Sequence, residues 1–238
     1  MFGLVVFVLR VGLIVPSSNT TMEGEFWEVL HGFGSVHSGR VFLERVDVQE
    51  LTVMGDEAVR EARKLATAKV DVIVYGCTSG SFVKGAHQFM DVEKRLEEVS
   101  HVPCVATSGA VVRALKHLGA VKISLITPYI REITEIEKTF LKINGFETVS
   151  SFHASILANT DIGRVSDEQV LDWCLENVHP SADAAFISCT NLSTFKALRK
   201  IEEETGKPVV SSNSATLWNV LQRLGIKLSM PHLGRLLT

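Results

Sequence analysis

Residues 11–16, Val-Gly-Leu-Ile-Val-Pro, return at 123–128 as Ile-Ser-Leu-Ile-Thr-Pro. Asp71, Cys77, Thr78 and Ser81 return as Asp183, Cys189, Thr190 and Ser193, and every one of these pairs lies 112 positions apart. A third pair of stretches, 102–115 and 207–221, matches at a slightly shorter spacing. Separate motifs that share one spacing imply two copies of one supersecondary plan, each bound by the same packing rules. The junction falls near 115–120, in Leu-Lys-His-Leu-Gly-Ala.

Apolar runs give each copy its content. Val- and Ile-rich runs read as strands at 11–16, 40–48, 70–76, 102–107, 121–128, 147–154, 182–188 and 207–212. Charge-bearing segments of helical period lie between them, at 55–69, 90–100, 129–145 and 166–178. Ser166 and Gln169 have capping-box spacing, and Asn144-Gly145 reads as a helix stop. Strands alternating with helices mean parallel sheets covered on both faces. The expected fold is α/β with two similar lobes, each a roughly four-stranded parallel sheet flanked by helices. A pseudo-twofold axis relates the lobes and the site lies between them. Residues 1–117 form the first lobe and 118–211 the second, while 212–238 packs back on the first.

Composition narrows the partners. The 238 residues carry 24 Lys and Arg against 27 Asp and Glu, with no basic block, which argues against nucleic acid and anionic membranes. The apolar start, Met1 to Pro16, is shorter than a bilayer span and holds Arg10 in its middle. Residues 10–16 read as the first core strand and 1–9 as an apolar extension of the kind found at interfaces. The cysteines at 77, 104, 174 and 189 are widely spaced with no Cys-x-x-Cys pair. That pattern disfavours zinc and disulfides and suits reduced thiols in the cytoplasm.

Cys77 and Cys189 each stand where an apolar strand breaks into small polar residues. In parallel α/β sheets, ligands bind beyond the carboxyl ends of strands. A strand-end cysteine is by default a small buried apolar side chain. Recurrence at one spacing, each time followed by Thr, points instead to a pair of thiols facing one cleft. Backbone N–H groups and a helix N-terminus there are expected to lower the thiol pKa towards neutrality. The same N–H groups, with the side chains of Thr78, Ser79, Thr190 and Asn191, suit a substrate carboxylate. Cys104, within a strand, and Cys174, mid-helix, have no repeat partner and read as core. His153 reads as a rim or core histidine.

Five stretches in order carry a family resemblance: residues 12–26 (GLIVPSSNTTMEGEF), 75–85 (YGCTSGSFVKG), 125–129 (LITPY), 158–168 (ANTDIGRVSDE) and 187–195 (ISCTNLSTF). They resemble the maleate cis–trans isomerases of the aspartate/glutamate racemase superfamily, related to arylmalonate decarboxylases, along almost the whole chain from residue 10. The resemblance implies an isomerase that needs neither metal nor other cofactor and acts on a small dicarboxylate. It implies Cys77 as nucleophile and Cys189 as acid and base. It implies Asn19, Tyr129 and Asn159 as substrate contacts, with Ser17 and Ser18 beside them, and a homo-oligomer, a dimer or larger. Asn19 also has the position of a helix cap, and Asn159 that of a turn residue.

Two thiols could equally serve a cofactor-independent racemase of an amino or hydantoin-type acid. An arylmalonate-type decarboxylase works with the second-lobe cysteine alone, and retention of Cys77 disfavours it. A non-catalytic carboxylate-binding protein would need neither thiol. The segments 49–56 and 155–165 are expected to be the loops that set the pocket's size.

Overall fold

The computed structural model describes residues 8–238, so residues 1–7 of the apolar extension lie outside the described residues. In the first lobe, β1 (Leu9–Pro16), β2 (Gly34–Val41), β3 (Val72–Tyr75) and β4 (Cys104–Ala106) form one sheet in the order β2-β1-β3-β4. In the second, β5 (Lys122–Thr127), β6 (Glu147–His153), β7 (Ala184–Ile187) and β8 (Val209–Ser211) repeat the order as β6-β5-β7-β8. All pairings are parallel. The helices are α1 (Met22–Leu30), α2 (Val48–Thr67), α3 (Gln88–Ser100) and α4 (Thr107–His117) in the first lobe. The second holds α5 (Arg131–Ile143), α6 (Asn159–Ile162), α7 (Asp167–Asn177), α8 (Leu198–Thr205) and α9 (Ser212–Arg223). The two-lobed α/β reading is thereby met in strand number and direction, and the shared strand order adds to the likeness of the lobes.

The central strands β3 and β7 are buried along their whole length, which is why their sequences are unbroken apolar runs. The repeated aspartates anchor the strand starts. Asp71 Oδ2 accepts from the Arg10 N–H at 2.7 Å, and Asp183 Oδ2 accepts from the Val121 and Lys122 N–H groups at 2.9 and 2.7 Å. Arg10 and Lys122 are themselves 112 positions apart, so each lobe ties its first strand to its third in the same way.

Two boundaries depart from expectation. The strand placed at 40–48 is β2 at Gly34–Val41, because register with Leu9–Pro16 ends at Val41. The alternation that continues to Val46 comes from a loop that buries Leu43 and Val46 while Phe42 is exposed. The helix placed at 55–69 starts at Val48, where Asp47 caps it by accepting from the Glu50 N–H at 3.0 Å. Residues 49–56 are therefore helix, not a pocket loop. The helix placed from 129 begins at Arg131 and ends at Ile143, with Gly145 at φ +98° taking the left-handed turn. Ser166 accepts from the Gln169 N–H at 3.2 Å and caps α7.

Helix α9 leaves the second sheet and packs against α4, α1, β3 and β4 of the first lobe. Arg113 on α4 donates to Asn219 Oδ1 at 3.0 Å, and Thr216 on α9 donates to Thr107 at 3.2 Å. Among the described residues no helix is long and apolar enough to cross a membrane.

Candidate active site

The two Cys-Thr motifs interlock. The Thr190 hydroxyl donates to the Gly76 carbonyl, one residue before Cys77, at 2.9 Å. Ser212, the first residue of α9, accepts from Thr78 Oγ1 at 2.8 Å and from the Cys189 N–H at 3.0 Å. One hydroxyl thus holds a residue from each motif. Gly76 has to be glycine, since a Cβ there would stand 2.6 Å from Met22 Sδ.

Each sulfur has a backbone N–H aimed at it. The Gly80 N–H donates to Cys77 Sγ at 3.3 Å, and the Asn191 N–H to Cys189 Sγ at 3.4 Å. A Cβ on Gly80 would lie 2.9 Å from that sulfur, so glycine is what lets the amide come close. Cys189 adopts φ +103°, a conformation that costs a non-glycine residue roughly 1–3 kcal/mol and that clusters at functional sites.

The expected fall in thiol pKa is corrected by the structure. Burial pushes Cys77 up to about 11 and Cys189 up to about 12, against the opposing pull of those N–H groups. Two features explain it. No full helix starts at either cysteine: Cys77 is followed by a single turn at Ser79–Ser81, and the next helix after Cys189 begins at Leu198. The cleft is also closed, with Cys77 and Cys189 only 4% and 5% exposed. The segment after β2 meets the segment after β6: the Val46 N–H donates to Leu157 O at 3.0 Å, and the Asn159 N–H to Glu44 O at 2.9 Å. The open cleft beside α3, lined by Ala58, Tyr75, Lys84, His87 and Arg95, holds neither thiol.

The other expected site residues are placed as follows. Thr78, Ser79, Tyr129, Asn159, Thr190 and Asn191 are all buried, as is Asn19. Asn19 does two jobs. Its Oδ1 accepts from the Thr21 and Met22 N–H groups at 3.0 Å, opening α1, while its Nδ2 donates to Thr190 Oγ1 at 3.1 Å. That leaves one amide proton for a ligand. Asn159 Nδ2 donates to Ser18 Oγ at 2.8 Å, and Asn191 Nδ2 to the Asn159 carbonyl at 2.6 Å. The Tyr129 hydroxyl lies 3.4 Å from Ser188 Oγ, beside Cys189, and draws the Cys189 thiol down against the effect of burial. Ser17 stands apart: it is exposed, and its hydroxyl exchanges hydrogen bonds with the Leu43 backbone at 3.1 and 3.4 Å. His153 is at the rim, paired with Ser155 at 3.0 Å. Cys104 and Cys174 are core.

Three residues escaped the sequence reading. Ser212 is one; a serine opening a helix looks like an ordinary cap. The others are Glu25 and Glu137, buried carboxyls that are themselves 112 positions apart. Their signal was available, since each sits on the apolar stripe of its helix, Glu137 between Ile133 and Leu141. Glu25 accepts from the Thr194 and Phe195 N–H groups at 2.6 and 2.9 Å and from Asn213 Nδ2 at 2.6 Å. It therefore clamps the loop that carries Cys189 to the first lobe.

Burial pushes Glu25 up from 4.5 to about 7, against those three donors. A carboxyl whose folded pKa is raised contributes stability that is complete below its unfolded pKa and lost as pH rises through the folded one. The window is therefore about pH 4.5 to 7. Across it, wild-type stability is expected to fall relative to Glu25→Gln by on the order of 3 kcal/mol. Melting temperatures of both proteins over this range check the expectation; parallel curves would contradict it.

The chain matches the arylmalonate decarboxylase family over residues 11–237. A maleate isomerase of Geobacillus stearothermophilus is 31% identical over 243 residues, covering 96% of this chain and 97% of that protein. The maleate cis–trans isomerase of Nocardia farcinica, solved as a cysteine-to-serine mutant with a covalently bound succinylcysteine intermediate, superposes with a TM-score of 0.93 at 29% identity. That match covers 97% of this chain and 98% of the other. The maleate isomerase Iso of Pseudomonas putida S16, solved with maleate, gives a TM-score of 0.92 at 28% identity over 97% of both chains. Alike in sequence and fold along nearly its whole length, the chain belongs to the arylmalonate decarboxylase family and, within it, to the maleate isomerases.

Proposed function

We propose that this protein is a cofactor-independent isomerase that converts maleate, or a closely related unsaturated dicarboxylate, to its trans isomer through a covalent adduct on Cys77. The observation that carries the reading is the interlocking of two thiol-bearing loops through Ser212 and Thr190, with both cysteines buried. The succinylcysteine in the Nocardia farcinica relative supports the same chemistry.

The thiolate of Cys77 adds to one alkene carbon, forming the C–S bond as the π bond breaks. The freed electron pair moves to the neighbouring carbon, where Cys189 delivers its proton. The bond between these carbons is now single and rotates. Cys189 then takes a proton back, the π bond re-forms and the Cys77 thiolate leaves. No electron is gained or lost, so no redox partner enters the balance. Asn19, Ser79, Tyr129, Asn159 and Asn191 offer neutral side-chain donors to two carboxylates. The hydroxyl protons of Thr78 and Thr190 are given to Ser212 and to the Gly76 carbonyl, leaving those two residues to hold the loops in place. With both thiols pushed above their ordinary range by burial, the Cys77 thiolate is the minor form at neutral pH and grows as pH rises.

The test is incubation with maleate, following fumarate by absorbance without added cofactor and in the presence of EDTA. Turnover is expected, with kcat/KM rising as pH increases above neutrality, since the thiol pKa is raised rather than lowered. Exchange of an amino acid's α-proton with solvent deuterium, with maleate untouched, would replace this reading with the racemase. Release of carbon dioxide from an arylmalonate would replace it with the decarboxylase.

A further inference from the structure

Cys189 differs from Cys77 in being linked to a buried carboxyl. Glu137 Oε1 accepts from Ser188 Oγ at 2.6 Å, and Oε2 is buried with no partner. Ser188 directly precedes Cys189, and its Oγ lies 3.4 Å from the Tyr129 hydroxyl, a group close enough to Cys189 to draw its thiol pKa down. Glu137, Ser188 and Tyr129 thus form a series of exchangeable protons that ends beside Cys189. The repeat supplies no counterpart for Cys77. The positions 112 before Ser188 and Tyr129 are Gly76 and the exposed Ser17. Glu25, the counterpart of Glu137, is bonded across the lobe boundary instead.

We propose that Glu137 is a positioning residue that, through Ser188 and Tyr129, exchanges a proton with Cys189 and so decides which form of that thiol meets the substrate. The inference deepens the isomerase reading and rests on it for the identity of the reaction. The hydrogen bonds order in two ways. With Glu137 ionised, the Ser188 hydroxyl donates to it. With Glu137 protonated, its O–H donates to Ser188, Ser188 donates to Tyr129, and Tyr129 donates to the Cys189 sulfur, which favours a thiolate.

The ionisable groups whose charge acts on Cys189 are Cys77, at the end of β3, and Glu137, on α5; Tyr129, beyond β5, acts the other way, as a hydrogen-bond donor. Cys77, Cys189 and Glu137 act on Tyr129, while burial and Ser188 govern Glu137. None of these is a cation, and a dry site holds one negative charge at far lower cost than two. The carboxyl is the better seat for it, since burial raises Glu137 only to about 8. Once Cys189 has given its proton to the substrate carbon, three transfers follow: Tyr129 O–H to sulfur, Ser188 O–H to the Tyr129 oxygen, and Glu137 O–H to the Ser188 oxygen. A neutral thiol and a carboxylate result, which keeps the charge away from the diacid while its bond rotates. The reverse transfers restore the thiolate that retrieves the proton.

In a Cys77→Ala background, the pH dependence of Cys189 alkylation by iodoacetamide, located by peptide mapping, reports the ionisation of that thiol without any substrate. Adding Glu137→Gln is expected to shift the profile to lower pH by about one unit, because a like charge has been removed. A profile that coincides with the parent's, in a variant whose melting curve shows it folded, overturns the proposal. Ser188→Ala keeps the carboxyl but cuts the bridge. In the otherwise intact enzyme it is expected to lower kcat roughly tenfold with KM nearly unchanged. An unaltered kcat there also overturns the proposal. Because the alkylation arm needs no diacid, it stands even if the isomerase reading fails.

Discussion

Cys77→Ser is expected to lower maleate turnover by roughly 10⁴-fold or more, in line with the loss of a nucleophile that works as part of a unit. The hydroxyl replaces the thiol at nearly constant volume, and the Gly80 N–H still has an acceptor, so the fold is retained. What disappears is a soft, ionisable nucleophile. A serine hydroxyl ionises far above a thiol, and in a cleft that already pushes Cys77 up to about 11 it stays neutral. No adduct is expected by intact mass. Turnover within tenfold of wild type would show that Cys77 is not the attacking group.

Cys189→Ser is expected to cut kcat roughly 10²–10⁴-fold, the range general acid–base catalysis supplies. The left-handed backbone at 189 and its bond to Ser212 do not depend on sulfur, so the variant should fold with Cys77 undisturbed. The two cysteine variants thus fail differently. One cannot form the adduct, whereas the other forms it slowly, with water or the serine hydroxyl protonating the carbon, and cannot take the proton back to release the product. Equal, full activity in both would show that neither thiol takes part in the reaction.

Much of this architecture was legible because repetition is a local pattern read twice. The spacing shared by Cys77 and Cys189, and by Asp71 and Asp183, fixed two copies of one parallel-sheet plan. Regular strands did the rest, because β3 and β7 are buried on both faces and their sequences show it. What Asp71 and Asp183 do was not legible, as their partners Arg10, Val121 and Lys122 are some 60 residues away in the chain. The end of β2 was misplaced because burial of Leu43 and Val46 in a loop mimics strand alternation.

The thiol pKa was misjudged for a related reason. Local sequence shows the N–H donors near each sulfur, whereas closure depends on Glu44 and Val46 meeting Leu157 and Asn159 from the other lobe. Ser212 escaped notice because its two partners, Thr78 and Cys189, come from different lobes. Glu25 and Glu137 were visible in principle: carboxylates on apolar helix stripes, at the same spacing as the cysteines. A search of the repeat for buried charge, rather than for nucleophiles alone, finds them.

The central claim concerns which sulfur bonds to carbon. Cys189→Ser protein mixed with maleate, digested and mapped by mass spectrometry, should carry a succinyl group on the peptide holding Cys77 and on no other cysteine. A modification confined to Cys104 or Cys174, or an unmodified Cys77 in a folded protein that has consumed maleate, would contradict it.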